Sequence, residues 1–351
     1  MSESDSIEVN PSSVPANTKI ILMSFSEHDE FTKKFGESIK DLVFEIGRYI
    51  DLSLLDGVTV GFDYEAALQS VDLGYESSIA KVYTNTDALI GVAKILRVKR
   101  EGVIKVHIVY NAHFLTLLTE PDHPDFLATI NLVVHELGHV CVIAWFEKHS
   151  PGIILEPFKG DSVRNQLLDA AHTCWEEYAA CKLASIFHHP IVEKNYREMA
   201  TSQVEDGFKT AYEIIKEYRT TGDLQSAFNR VFIAVVTPIK YISYFLGHQF
   251  GIQKEDGDTL DVEQFGVYSP FINAIQDELQ KAWDTREQWD GLNGLNGLLN
   301  VMLKIFSSAG MDITLDYSER GGSSYVNFPY TPQTLPGGYP TYQLMKQLGQ
   351  I

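Results

Sequence analysis

The pentapeptide His135-Glu136-Leu137-Gly138-His139 constrains this chain more than any other stretch. It lies inside Asn131-Leu-Val-Val-His-Glu-Leu-Gly-His-Val-Cys-Val-Ile-Ala-Trp145. On a helix, residues four apart share a face one turn above the other, so both imidazoles can reach a single ion. Neutral imidazole is a good zinc ligand, and the Glu after the first His can take a proton from a water activated there. The flanks Leu132, Val133, Val134, Val140, Val142, Ile143 and Ala144 leave the motif as almost the only polar part of this helix. Ionisable side chains on such a helix are costly to desolvate unless something charged holds them. A buried helix with two hydrogen-bonded histidines is the competing reading. Gly138 costs about 1 kcal/mol against Ala inside a helix, which predicts close approach of a neighbouring backbone.

A second helix is expected from Arg164 to His189, capped by Asp161 or Ser162. At about 100° per residue, Leu167, Leu168, Ala171, Cys174, Trp175, Tyr178 and Cys181 share a buried face. Glu177 lies at the edge of that face, with the small residues Ala180 and Ala184 on its side, whereas Glu176 and His172 are expected to point away. Glu177 is therefore the acid best placed to look inward; an interfacial salt bridge is the alternative.

The remaining chain divides by composition. Residues 1–17, polar and rich in Ser, Pro, Asn and acids, read as a disordered leader without a secretory signal. Lys19–Phe25 is a short strand, Asp29–Leu55 a helix by its apolar spacing, and Gly57–Asp63 a strand. Ala88–Val98 and Val103–Tyr110 form a hairpin around Lys99-Arg-Glu-Gly102, immediately before the motif helix. Glu120–Asp125 is a turn that starts the motif helix near Asp125, and Ser150-Pro-Gly152 ends it.

Beyond Pro190 the pattern is helical: Glu193–Thr220, Leu224–Gly251, Pro270–Asp284 and Gln288–Phe306. The apolar run Val231–Leu246 is interrupted by Pro238 and Lys240, and falls short of the ~20 clean apolar residues of a membrane span. The domain expectation is thus a leader (1–17), a first domain (18–190), a helical region packed on it (191–317), and a loop-like tail (318–351).

With 28 basic and 47 acidic residues among 351, the chain carries −19 at pH 7, which argues against nucleic acid or an anionic membrane as partner. Three cysteines without paired C-x-x-C spacing read as reduced thiols and, with no visible signal, place the chain in the cytoplasm.

His135-Glu136-x-x-His139, followed by a helix offering Glu177-Tyr-Ala-Ala180, resembles the gluzincin metallopeptidases. Gly138 before the second His is similar to the ImmA/IrrE-type and related minimal gluzincins. The resemblance covers about residues 57–190. It implies an α+β fold: a small, mostly antiparallel sheet against a zincin two-helix core, with the helical C-terminal half following. It also implies one Zn2+ per chain held by His135, His139 and Glu177, with Glu136 as the general base. The implied activity is endopeptidase hydrolysis of a protein or peptide substrate; the alternative is a proteolytically silent zinc-binding sensor or interaction module on the same fold. The chain departs from the family where many members place an acid four residues after the third ligand, to orient a ligating His. Here that residue is Cys181.

Overall fold

A computed structural model describes residues 10–26, 28–77, 81, 85–86, 89–156, 160–252, 260–315 and 323–351. Two compact units emerge: residues 1–156 with 179–192, and residues 157–178 with 193–351.

The first unit is built on strands β1 (Lys19–Met23), β2 (Leu55–Gly61), β5 (Ala93–Arg100) and β6 (Val103–Asn111), in the order β1-β2-β6-β5. The β1–β2 and β2–β6 pairs are parallel, and only β5–β6 is antiparallel. This corrects the expectation of a mostly antiparallel sheet. The cause is the crossover helix α1 (Glu30–Ile46): a helix between two neighbouring strands returns the chain to the same end and makes them parallel. A separate two-stranded ladder joins β3 (Asn85–Thr86) to β4 (Leu89–Ile90). The predicted strand from Ala88 is therefore two pieces, β4 and β5. The β5–β6 hairpin turns through Glu101 and Gly102, both at positive φ (51° and 87°), the turn whose twist matches the flanking strands.

Asp29 starts α1 by accepting a hydrogen bond from the Phe31 amide. The helix stops at Ile46, nine residues before the expected end, where Ser12, Ser13 and Val14 pack beside Gly47. The Ser13 amide donates to the Gly47 carbonyl, its hydroxyl donates to the Gly47 and Ile50 carbonyls, and that oxygen accepts from the Leu52 amide. Val14 is buried in the core, so the expected disordered leader is ordered over this part.

One face of the sheet packs Val58, Val60, Val106, Ile108 and Tyr110 against Phe35, Ile39 and Val43 of α1. The same core takes Ile130, Val133, Val134, Leu137 and Val140 of helix α3 (Phe126–His149). The other face is covered in part by α2 (Tyr64–Ser70), whose Tyr64, Ala67 and Leu68 meet Leu96, Val98 and Val109.

Helix α4 spans Ser162–Ala184; its residues up to 178 are counted with the second unit and the rest with the first. Its N-terminus is capped by Asp161, which accepts from the Arg164 amide at 2.8 Å. The second unit continues with α5 (Pro190–Thr221, counted here from Glu193), α6 (Leu224–Gly251), α7 (Ile272–Thr285) and α8 (Asn296–Ser308). It ends with the strand pair β7 (Asp312–Thr314) and β8 (Tyr325–Asn327) and helix α9 (Gly338–Gln347). The region expected to be a loop-like tail thus carries a strand and a helix, and Phe328, Thr334 and Leu335 are buried. Arg219 of α5 anchors it, donating to the carbonyls of Phe328 and Pro329 and lying 4.1 Å from the Tyr330 ring.

Among the described residues, α3 and α6 are long and apolar enough to cross a membrane, but 72% and 56% of their most apolar windows are buried inside the protein.

Candidate metal centre

The site grows from the crossing of α3 and α4. Asn131 donates its side-chain amide to the Ala184 carbonyl at 2.8 Å, satisfying the end of α4. One turn on, His135 Nδ1 lies 3.5 Å from Cys181 Sγ. At the next position an added Cβ on Gly138 would stand 3.0 Å from Ala180 Cα. Moving up α3 therefore means moving down α4: the helices run antiparallel. The close approach expected at Gly138 is present, and Ala180 is the small residue that permits it.

This register brings His135, His139 and Glu177 together. One ligand atom from each lies within 4.8 Å of the others, so the three can hold a metal ion. Both histidines are buried, with rings perpendicular and Nε2 atoms 3.3 Å apart. Two nitrogens bound tetrahedrally to one ion at ~2.05 Å would stand about 3.3 Å apart. The pair is thus already at chelating distance, and the donor set of two imidazoles and a carboxylate suits zinc.

Cys181 occupies the place where an orienting acid was absent from the sequence pattern. With the proton on His135 Nδ1, facing sulfur, Nε2 turns its lone pair toward His139. None of the cysteines is in a disulfide, and all three are buried. Burial pushes the Cys174 thiol up to about 12, despite a hydrogen bond with Ser243.

Glu136 is half-buried, unlike the two histidines beside it. Tyr110, at the centre of the sheet, donates its hydroxyl to the Val133 carbonyl at 2.9 Å. Burial raises the Tyr110 pKa well above its ordinary value, and the Glu136 charge adds to that rise.

Two side chains on α4 differ from expectation. Glu176 is only 7% exposed, and its carboxylate lies 3.9 Å from His172 Nδ1, itself buried. A periodicity count makes them outward-facing, but from Ala170 to Cys181 every residue except Thr173 and Glu177 is buried, so that side of α4 faces protein there too. Tyr178, near in sequence to the site, gives its hydroxyl to Gln280 Oε1 at 2.8 Å.

Comparison of the chain with family models, curated proteins and solved structures gives no match in any of the three. The functional reading therefore rests on this geometry and on the motif itself.

One polar cluster went unread in the sequence. His107 on β6 is buried, with Nδ1 3.1 Å from Asp56 Oδ2 and Nε2 2.8 Å from Thr59 Oγ1. Arg100 holds Asp56 through two hydrogen bonds, at 2.9 and 3.0 Å. The signal was the alternation Lys105-Val-His107 inside a β-branched run, two polar side chains on one face of a central strand.

Proposed function

We propose that this protein is a zinc-dependent peptidase of the gluzincin kind, cleaving peptide bonds within a protein or peptide substrate. The observation that carries the reading is the pair of buried imidazole nitrogens 3.3 Å apart, with the Glu177 carboxylate within 4.8 Å. His135, His139 and Glu177 would hold one Zn2+ per chain. The ion, when bound, supplies Lewis acidity that acidifies a water and polarises a carbonyl. Glu136 is the general base: it lies about 100° around α3 from His135, clear of the ligand row, and half-open to solvent. Its carboxylate takes the water's proton and hands it to the leaving amine. Cys181 keeps His135 in the tautomer that presents Nε2.

The test uses the full chain purified without added metal. Elemental analysis is expected to give about one zinc per chain, and the protein to cleave casein. Glu136→Gln should keep the zinc and lose hydrolysis by at least a hundredfold. Stoichiometric zinc with no hydrolysis by the wild type would favour the silent sensor or interaction module. No zinc, and no thermal shift on adding it, would refute the metal centre.

A further inference from the structure

On the face of the sheet opposite α1 and α3, beyond the end of α2, lies a cavity of about 810 Å³ within the first unit. That size falls in the range of small-molecule sites. Its floor is the central strands β2 and β6, where a sheet covered on both faces would ordinarily carry apolar side chains. Here Thr59 (1% exposed) and His107 (6% exposed) form the floor instead. They are held as a chain: Arg100 to Asp56, Asp56 to His107, His107 to Thr59. With Nδ1–H donating to Asp56, Nε2 is left to accept from the Thr59 hydroxyl. Gly57, facing His107 across the ladder, makes the room: a Cβ there would meet His107 Cε1 at 2.8 Å.

The charge around the floor runs against the rest of the chain. Lys19, Lys99, Arg100 and Lys105 line the cavity, against Asp56, Asp72 and Glu101. Four of 28 basic residues and three of 47 acidic ones meet here, in a protein of net charge −19. Arg100 is committed to Asp56, but Lys19, Lys99 and Lys105 have no acidic partner within 4.0 Å among the described residues. Lys19 pairs in register with Gly57, and Gly57 with His107; Lys105 is two residues before His107 on the same face. Lys19 and Lys105 therefore flank the floor from the two strands either side of β2, ~10 Å apart. Their side chains can converge on one group between them.

We propose that this cavity binds a small anionic molecule, a carboxylate or phosphate ester, whose charged group sits between Lys19 and Lys105 over the Thr59–His107 floor. The inference stands apart from the metal centre and does not depend on peptidase activity.

The experiment follows the His107 imidazole signals of the full chain labelled with 15N-histidine, assigned by their loss in His107→Asn. Inorganic phosphate and succinate are the two probes, and they separate the phosphate from the carboxylate class. At least one is expected to move the His107 signals saturably. Lys19→Glu and Lys105→Glu, whose side chains are exposed and half-buried, should each raise the midpoint at least tenfold while keeping the melting temperature. Lys33→Glu on the exposed side of α1 changes net charge equally and should leave the midpoint within twofold. No saturable movement with either probe overturns the proposal. So does a midpoint that Lys19→Glu and Lys105→Glu shift no more than Lys33→Glu does.

Discussion

Gly138→Ala sets two known effects against each other at the centre of the site. Alanine in place of glycine inside a helix favours the fold by about 1 kcal/mol. The new Cβ, however, would stand 3.0 Å from Ala180 Cα and 3.3 Å from both its Cβ and its carbonyl oxygen. Carbon atoms rest at ~3.5–4.0 Å, so the helices must separate by roughly 0.5 Å or more. Two of the three atoms belong to backbone, so no side chain can swing aside. Overpacking of this kind costs about 1–3 kcal/mol, and the net effect should be a loss of about 1 kcal/mol in metal-free protein. The larger effect is on metal: His139 adjoins Gly138 on α3, Glu177 lies one turn from Ala180 on α4, and ligand distances tolerate only about ±0.2 Å. Zinc affinity, read by competition with a chelator, should fall at least tenfold. Adding Ala180→Gly removes the Cβ contact but leaves Ala180 Cα in place, so rescue should be partial. A Gly138→Ala protein as stable as wild type, with zinc affinity within twofold, would refute the close crossing of α3 and α4.

Three further outcomes follow from the same structure. Glu177→Ala should weaken zinc binding by orders of magnitude, whereas Glu176→Ala, which breaks the buried pair with His172, should cost about 1–3 kcal/mol of stability and spare the metal; chelator competition and thermal unfolding separate the two, and equal zinc loss would contradict the assignment. Cys181→Val keeps the shape but removes the acceptor facing His135 Nδ1, and should weaken zinc ten- to a hundredfold, with Cys181→Ser weakening it less; equal losses would mean the sulfur only fills space. Burial lowers the His107 pKa below its ordinary 6.5, outweighing the opposing pull of Asp56. The native state then binds fewer protons than the unfolded chain, so this stability is full above 6.5 and drains as the pH falls below it. The melting temperature of wild type minus that of His107→Asn should shrink from pH 7 to pH 5, and a constant difference would exclude the titration.

What was legible in the sequence was local. The spacing of His135 and His139 sets their shared face whatever surrounds the helix, and on that face the structure has their Nε2 atoms 3.3 Å apart. Gly138 and Ala180 each announced close packing, and they meet each other. What was not legible depends on pairings distant in sequence. Asp56, Thr59, Arg100 and His107 are 44 to 51 residues apart in their paired contacts, and the parallel register of β2 with β6 and the antiparallel pairing of β5 with β6 join them. The parallel sheet itself was within reach, since a strand, a long helix and a strand in succession imply a crossover.

Glu176 shows where helical periodicity stops being informative. A count of apolar positions finds a buried face only if the helix has an exposed one, as α1 does with Phe35, Ile39, Val43 and Ile46 inward. On α4, Ala170, Ala171, Cys174, Trp175, Tyr178, Ala179, Ala180 and Cys181 are all buried, so the direction opposite the main apolar stripe faces protein as well. An acid there must be paired or neutralised, and His172, one turn earlier, is the nearest basic group on the same helix. The histidine four residues before Glu176 was therefore the available sign that this acid is interior. It sorts the two adjacent carboxylates by partner: Glu176 has a histidine of its own helix, and Glu177 has the two on α3.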